Sequence, residues 1–239
     1  MRLIPIFLFL LMSCTVFGQP DPLDYIMGKV KYAEDDRFAK IPSSIANKEG
    51  MYLRKEALEA FQKMRKAAAE DGITLRIMSA ARSFNHQKQI WEGKWNGNRL
   101  VDGKNMKTAI SDPAERARFI MKYSSMPGTS RHHWGTDIDI NSFNPDYFNS
   151  GRGQKEYQWL VDNAHRFGFC QTYTEKGKER PHGYEEEKWH WTYMPIAKPL
   201  LTFFKNNVTG ADMKGFDGAG SIPFEEVQKY VFGISKECQ

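Results

Sequence analysis

The chain is poor in cysteine and lacks blocks of like charge, internal repeats and long apolar runs, which excludes several classes of protein. Three cysteines in 239 residues cannot form the framework of a small disulfide scaffold. The formal net charge of +5 is spread along the chain, and no basic-aromatic pattern indicates a nucleic-acid partner. No apolar run after residue 12 reaches the ~20 residues that span a bilayer. What is left is a globular protein whose hydrophobic content of 41% is sufficient for a core.

The first residues predict export. Arg2 is followed by an apolar run that ends at Met12 and then by small and polar residues, which is typical of a signal peptide. Small residues before Gln19 favour cleavage, so residues 1–18 are expected to be removed. In the alternative interpretation, Cys14 is the lipidated residue of a lipoprotein. Both alternatives predict a protein exported to the periplasm or cell envelope of a bacterium.

Two cysteines remain after such a cleavage, Cys170 and Cys238. An even number of cysteines in an oxidising compartment is compatible with a disulfide, here one between the C-terminal tail and the body of the domain. Two free, buried thiols are the alternative, and the sequence leaves both open.

Hydrophobic periodicity predicts a mixed chain of helices and a few strands. Residues 19–50 are interpreted as a lead-in segment, residues 51–209 as the main domain and residues 210–239 as a C-terminal extension. The alternating residues from Ile73 to Ile77 and the aromatic segment 189–193 predict strands. The predicted helices cover residues 54–70, 85–95, 113–123, 154–167, 195–206 and 223–232.

Candidate metal ligands are concentrated in two short segments. Residues 130–139 contain two imidazoles and two carboxylates, and residues 185–190 add three glutamates and His190. A catalytic zinc ion takes three protein ligands, commonly histidine nitrogens and a carboxylate, and keeps one position open. A further glutamate that does not bind the metal can act as the general base. The two segments together contain all of these groups.

The spacing restricts the choice but does not complete it. If Gly135 forms a turn, His132 lies before it and a strand follows. Along that strand Asp137 and Asp139 share one face, so alternation alone permits either as the ligand. Glu187 precedes His190 by three residues, which allows its carboxylate to lie near the same metal.

Three motifs resemble those of zinc D-Ala-D-Ala carboxypeptidases of the vancomycin-resistance type. The segment Ser130 to Asp139 is similar to the motif Ser-x-His-x-x-Gly-x-x-x-Asp, and Glu187-Lys188-Trp189-His190 to the motif Glu-x-Trp-His. The segment Ser79 to Ser83, with Gln87, is similar to Ser-Gly-Tyr-Arg-Ser-x-x-x-Gln. The motifs occur in the family's order within residues 79–193.

The resemblance implies roles for individual residues. It assigns one zinc ion per chain to His132, Asp139 and His190, and the general base to Glu187. It places Arg82 beside the scissile carbonyl, where a fixed cation stabilises the developing oxyanion. It also implies that Ser130 and Gln87 contact the substrate.

The resemblance also implies a fold and an activity. The expected fold is α+β, of the hedgehog/DD-peptidase type, with a small antiparallel sheet that carries the metal and is flanked by helices. The expected activity is a D,D-carboxypeptidase that removes terminal D-alanine from peptidoglycan stem peptides. We further expect a monomer with no nucleic-acid partner.

Two departures from the family pattern bear on the substrate. Ala81 stands where the family has tyrosine, and Asp137 stands where it has alanine. Asp137 is a candidate for a carboxylate that orients a ligand histidine from behind. His133 is one residue out of register with the motif, and we interpret it as a structural histidine.

Three other functions are compatible with the same residues. The site could cut within the stem or crossbridge as an endopeptidase, or it could be an L,D-carboxypeptidase. In a third alternative, the chain is a wall-binding module with a structural metal. A structural metal site needs neither Glu187 nor Arg82, which favours an enzyme.

Overall fold

The computed structural model describes residues 21–239. The predicted signal peptide and the alternative lipid attachment at Cys14 concern residues outside this range. Within residues 21–239, no helix combines the length and the apolar character that crossing a bilayer requires.

Helices and short antiparallel strands form an α+β architecture, which confirms the predicted class. The strands are β1 (Phe38–Lys40), β2 (Tyr52–Arg54), β3 (Ile77–Ser79), β4 (Asp137–Ile140), β5 (Phe169–Gln171) and β6 (His190–Tyr193). The helices are α1 (Pro22–Ile26), α2 (Lys55–Glu70), α3 (Phe84–Trp95), α4 (Met106–Ala109), α5 (Pro113–Met121), α6 (Gly151–Asn163), α7 (Met194–Asn207) and α8 (Phe224–Phe232).

A four-stranded antiparallel sheet in the order β3-β4-β6-β5 lies at the centre, and β1 and β2 form a separate two-stranded sheet. Strand β4 pairs with β3 on one side and with β6 on the other. Asp139 of β4 therefore lies opposite Ser79 in β3 and opposite His190 in β6. This register brings two of the three predicted metal ligands into direct apposition.

The main hydrophobic core lies between this sheet and helix α2. The apolar side chains of α2 recur at helical spacing, as the sequence predicts, and they pack against Ile138 and Ile140 of β4. Because side chains alternate along a strand, Asp137 and Asp139 project to the opposite face. The buried cluster includes Leu58, Phe61, Met64, Ile138, Ile140, Leu160, Phe169 and Trp191.

Strand β3 is shorter than the alternation from Ile73 predicts, and it begins only at Ile77. Asn141 gives the physical reason. Its side-chain oxygen accepts a hydrogen bond of 2.8 Å from the backbone amide of Arg76, and its backbone amide donates to the Arg76 carbonyl at 2.9 Å. Asn141 has a φ of +64°, so the backbone turns away at the residue that would continue the ladder. The predicted strand exists, but its predicted bounds were wrong.

The segments on either side of the predicted main domain contribute to its core. Ile26 of α1 packs with Trp134 and with Phe204 of α7. The Tyr25 hydroxyl donates a hydrogen bond of 2.7 Å to the Trp134 carbonyl. From the other end of the chain, Phe216, Ile222 and Val227 pack against Trp91 and Trp95 of α3. The division at residues 50 and 209 stays a prediction, and all three segments share buried clusters.

Cys170 of β5 and Cys238 near the C-terminus form a disulfide, with their Cα atoms 5.8 Å apart. The Ser235 amide and hydroxyl extend this attachment, because they donate to the carbonyls of Thr172 and Gln171 at 2.8 and 2.7 Å. The structure thus selects the disulfide from the two alternatives that the sequence left open. It fastens residues 234–238 beside β5.

Replacement of Cys238 with serine should lower the free energy of unfolding by about 2–4 kcal/mol, because the unfolded chain loses a cross-link between residues 68 apart. Urea unfolding of the wild type and the Cys238→Ser variant, each with and without reductant, measures this effect. Reductant should destabilise the wild type and leave the variant unchanged. Two titratable thiols in denatured, unreduced wild-type protein would contradict the disulfide.

Candidate functional site

The three predicted ligands come together at one end of the central sheet. His132 lies in a short 3₁₀ turn, Arg131–Trp134, and Gly135 reverses the chain into β4 with a φ of +69°. A side chain at this glycine would also collide with Phe38, since a Cβ atom would lie 2.2 Å from the Phe38 ring. The turn that the sequence suggested at Gly135 therefore exists, and it places His132 beside Asp139.

His132, Asp139 and His190 are buried, and their ligand atoms all lie within 4.8 Å of one another. The distance from His132 Nε2 to Asp139 Oδ2 is 3.3 Å, and from His190 Nδ1 to Asp139 Oδ1 it is 3.4 Å. Each histidine thus points one ring nitrogen at the same carboxylate. Both carboxylate oxygens face the point at which a metal would be held.

The other ring nitrogen of each histidine is held from behind. His132 Nδ1 lies 3.0 Å from the Ala80 carbonyl oxygen, which can only accept, so Nδ1 carries the hydrogen and Nε2 is left with a lone pair. His190 Nε2 lies 2.9 Å from Asp137 Oδ1 and donates to it, which leaves Nδ1 for the metal. Such partners fix the orientation of metal-binding histidines and raise their basicity.

Asp137 is completely buried and accepts four hydrogen bonds. Besides His190, the donors are Arg131 Nε at 3.0 Å, Thr136 Oγ1 at 2.6 Å and Thr192 Oγ1 at 2.8 Å. Burial raises the pKa of Asp137, but the charge of Arg131 and the hydrogen bond from His190 outweigh it and hold the pKa well below the usual range. Asp137 is therefore an ionised carboxylate behind His190, as the departure from the family motif suggested.

These groups fit a zinc ion. Two imidazole nitrogens and one carboxylate are a ligand set of catalytic zinc sites. No residue from 21 to 239 donates a hydrogen bond to the buried Asp139 Oδ1, which is costly unless a cation or another donor binds there. Burial lowers the pKa of His190, yet its hydrogen bonds to Asp137 and Glu187 raise it to about 10. An environment that attracts a proton this strongly also attracts a metal cation.

Glu187 faces the same point as the ligands. Its Oε2 lies 3.1 Å from His190 Nδ1, and its side chain is partly accessible from the cavity. Its amide donates to the Tyr173 carbonyl at 2.9 Å, which fixes the backbone at this residue. Glu185 points elsewhere and pairs with Lys176 at 2.7 Å. Of the three consecutive glutamates, the structure therefore places Glu187 at the site.

Arg82 lies on the other side of Asp139 and also lines the cavity. Its Nη1 donates to Gln87 Oε1 at 2.9 Å, its Nη2 donates to Ser79 Oγ at 3.1 Å, and Nη2 lies 3.9 Å from Asp139 Oδ2. Gln87 in turn donates through Nε2 to the Ser125 carbonyl at 2.7 Å. The guanidinium is therefore held in one orientation by two neutral side chains.

The structure places the two predicted substrate contacts differently. Ser130 lines the cavity, as expected of a residue that touches substrate. Gln87 is only 1% exposed and does not reach the cavity, because Arg82 lies in front of it. The shared motif spacing predicted that Gln87 belongs to the site, but it could not distinguish a contact with substrate from a contact with Arg82.

His133 is buried, and it is not among the three residues whose ligand atoms converge. Its Nε2 accepts a hydrogen bond of 3.1 Å from the Gly128 amide, and its Nδ1 lies 2.5 Å from the Arg82 carbonyl. Burial lowers the pKa of His133 to about 3, so the ring is neutral and joins the two motif segments structurally.

The cavity above these residues has a volume of about 160 Å³. Several residues of its wall could not be predicted from the sequence, because they follow helices or strands on separate loops and share no motif. Two of them, Tyr123 and Phe143, are exposed aromatic residues. Their exposure would have marked them as candidates, but it can be known only from the fold. The further wall residues outside the motifs are Ser124, Ser125, Tyr173 and Tyr184.

The Asp137→Asn variant should bind zinc about 10–100-fold more weakly than the wild type, since His190 would lose its anionic partner. Competition with a chromogenic chelator measures the dissociation constant. Glu156→Gln is the matched control, because Glu156 is a buried carboxylate bonded to Asn141, Tyr147 and Arg152 outside the metal group. Equal zinc affinity in the Asp137→Asn variant and the wild type would show that Asp137 does not support the site.

Comparison with known proteins agrees with this geometry. The chain is 29% identical over 193 residues to the Bacillus subtilis protein named "Putative carboxypeptidase YodJ". The match covers 80% of this chain and 59% of that protein. It is 31% identical over 131 residues to a D-alanyl-D-alanine carboxypeptidase of Enterococcus faecalis, which covers 54% of this chain and 44% of that protein. The chain thus spans about half the length of these relatives.

Among solved structures, that of the LdcB LD-carboxypeptidase has a TM-score of 0.52 and 24% identity, and the match covers 82% of this chain and 79% of that chain. This likeness shows a shared fold. The family model of VanY, D-alanyl-D-alanine carboxypeptidase, matches residues 50–196, which include every predicted metal ligand together with Arg82 and Glu187. The resemblance seen in the three motifs is confirmed, and the chain belongs to the VanY family of D-alanyl-D-alanine carboxypeptidases.

Proposed function

We propose that this protein is a zinc-dependent D,D-carboxypeptidase that removes the terminal D-alanine from peptidoglycan stem peptides. The observation that carries the proposal is the convergence of the metal group, Glu187 and Arg82 on one cavity. Family membership supports the reaction class. The name of the E. faecalis relative supports D-alanyl-D-alanine as the bond that is cut.

One zinc ion held by His132, Asp139 and His190 would supply Lewis-acid chemistry, polarising a carbonyl oxygen and activating water at neutral pH. The protein itself provides the proton transfers. Glu187 Oε2 accepts a proton from the attacking water and donates it to the leaving amine of D-alanine. Its place beside a ligand nitrogen of His190 puts the carboxylate within reach of that water.

Arg82 supplies the fixed positive charge. Its guanidinium donates to the scissile carbonyl oxygen as negative charge develops there. Because Gln87 and Ser79 already hold the guanidinium, little reorganisation is needed when the substrate binds. Ser130 lies on the cavity wall and contacts the substrate peptide.

The expected location agrees with this substrate, which exists outside the cytoplasm. Export rests on the sequence pattern of residues 1–18. Mass spectrometry of the mature protein, recovered from fractionated cells, distinguishes cleavage after Gly18 from lipidation at Cys14.

The second candidate is an L,D-carboxypeptidase, which the fold shared with the LdcB LD-carboxypeptidase favours. Digestion of purified muropeptides, with and without a chelator, separates the alternatives by product mass. Loss of one alanine from pentapeptide stems supports the D,D-activity, and loss of one alanine from tetrapeptide stems supports the L,D-activity. Release of crossbridge fragments would indicate an endopeptidase. Binding to sacculi with no product in any digest would indicate a wall-binding module.

The Glu187→Ala variant should keep its zinc but lose turnover by about a hundredfold or more, the effect expected of a general base. Metal content and hydrolysis of a D-alanyl-D-alanine peptide are measured on the same preparation. Glu186→Ala is the matched control, because that neighbouring glutamate does not line the cavity. A Glu187→Ala variant with unchanged turnover would refute the role of base.

A further inference from the structure

Lys94 is a cation beside the active-site cavity that the proposed mechanism does not use. It lies on α3, and its ammonium group donates a hydrogen bond to the Ser124 hydroxyl. Ser124 lies in the chain between α5 and the 3₁₀ turn Arg131–Trp134. It is 7% exposed and lines the cavity. The Lys94 ammonium group therefore lies directly behind Ser124, which is a residue of the cavity wall.

Among the residues that the structure describes, Lys94 has no carboxylate partner. Within residues 21–239, no carboxylate oxygen lies within the 4 Å of its Nζ that would define an ion pair, although Lys94 is half-buried. The other two cations at the cavity are engaged. Arg131 is neutralised by Asp137 at 3.0 Å, and Arg82 lies between Gln87, Ser79 and Asp139.

The electrostatic surroundings of Lys94 agree with a place near the reacting groups. Burial lowers the pKa of Lys94, the charge of Glu187 raises it, and the charge of Arg82 lowers it. The two charged residues of the proposed mechanism that do not bind the metal, Glu187 and Arg82, therefore both act on the charge of this ammonium group. An anion bound beside it would compensate for the cost of its burial.

The Ser124 hydroxyl is oriented by this contact. An ammonium group can only donate, so the Ser124 oxygen accepts and its own hydrogen is left for another acceptor. The adjacent residue, Ser125, is fixed by the hydrogen bond of 2.7 Å that Gln87 donates to its carbonyl. Gln87 thus connects this wall to Arg82, which it also holds.

We propose that Lys94 and Ser124 bind the C-terminal carboxylate of the substrate peptide. The inference rests on the proposed carboxypeptidase function, in which the carboxylate lies one residue beyond the carbonyl that Arg82 contacts. Lys94 supplies the charge and Ser124 supplies a donated hydrogen bond. The pair selects peptides with a free terminal carboxylate at the residue to be released, so the same contact disfavours cleavage within a longer chain.

The test compares two peptides that both end in D-alanyl-D-alanine, one with a free C-terminal carboxylate and one with a C-terminal carboxamide. The wild type should prefer the free acid in kcat/KM. The Lys94→Met variant should lose about tenfold or more of kcat/KM on the free acid and little on the amide, so the preference collapses. Lys94→Arg should retain much of the preference, because it keeps the charge. Lys88→Met is the control on the same helix, since Lys88 pairs with Glu92 at 3.6 Å.

Equal losses on both peptides in the Lys94→Met variant would show a structural role and overturn the inference. A second measurement keeps the test independent of turnover. Calorimetry with the zinc-loaded Glu187→Ala variant, with and without Lys94→Met, gives the Kd of each peptide and thus the ratio of acid to amide binding. A wild type that cleaves neither peptide would refute the proposed function. A wild type that releases D-alanine, with an acid preference that Lys94→Met leaves intact, would refute only the role of Lys94.

Discussion

The buried carboxylate of Asp137 is the interaction on which the site depends. It has no contact with solvent. From its own strand, β4, it bonds to Arg131 in the 3₁₀ turn and to Thr192 and His190 in β6. A buried anion is tolerated only when its charge and its lone pairs are satisfied, and here four donors do so. The same contacts that make Asp137 stable determine which nitrogen of His190 is free for a metal. Stability and ligand orientation thus have one cause at this residue.

Much of the site could be predicted from the sequence because its residues occur in two compact segments with fixed spacing. Strand alternation placed Asp137 and Asp139 on one face but could not rank them, since both carboxylates do face that side of β4. The family motif selected Asp139, and the structure agrees because Asp139, not Asp137, lies opposite His190 with both oxygens toward the ligand group. Without the motif, ranking the two would have required the register between β4 and β6, which no local pattern contains.

The sequence could not give contacts between segments that are distant in the chain. Gln87 was placed in the site by its motif, but whether it touches substrate or Arg82 depends on how α3 packs against the loop at Ser125. The bounds of β3 depended on Asn141, which is about 65 residues away along the chain. Lys94 belongs to no motif, and only the fold brings its part of α3 beside the cavity. Of the eight helices in residues 21–239, the six longer ones were predicted to within a few residues at each end, since their apolar stripes are local; the short helices α1 and α4 were not predicted.

The contacts of the N-terminal segment bear on how this enzyme could be dissected. The Tyr32 hydroxyl lies 3.0 Å from the carbonyl oxygens of both Arg82 and His133, and Phe38 covers the turn at Gly135. The region that matches the family model, residues 50–196, therefore leaves out side chains that contact segments of the site. The motifs can be recognised within one stretch of sequence, but the packing that holds them in place extends beyond that stretch. Fusions and truncations designed from the family match alone would remove Tyr32 and Phe38, and with them the contacts that these side chains make with the segments of the active site.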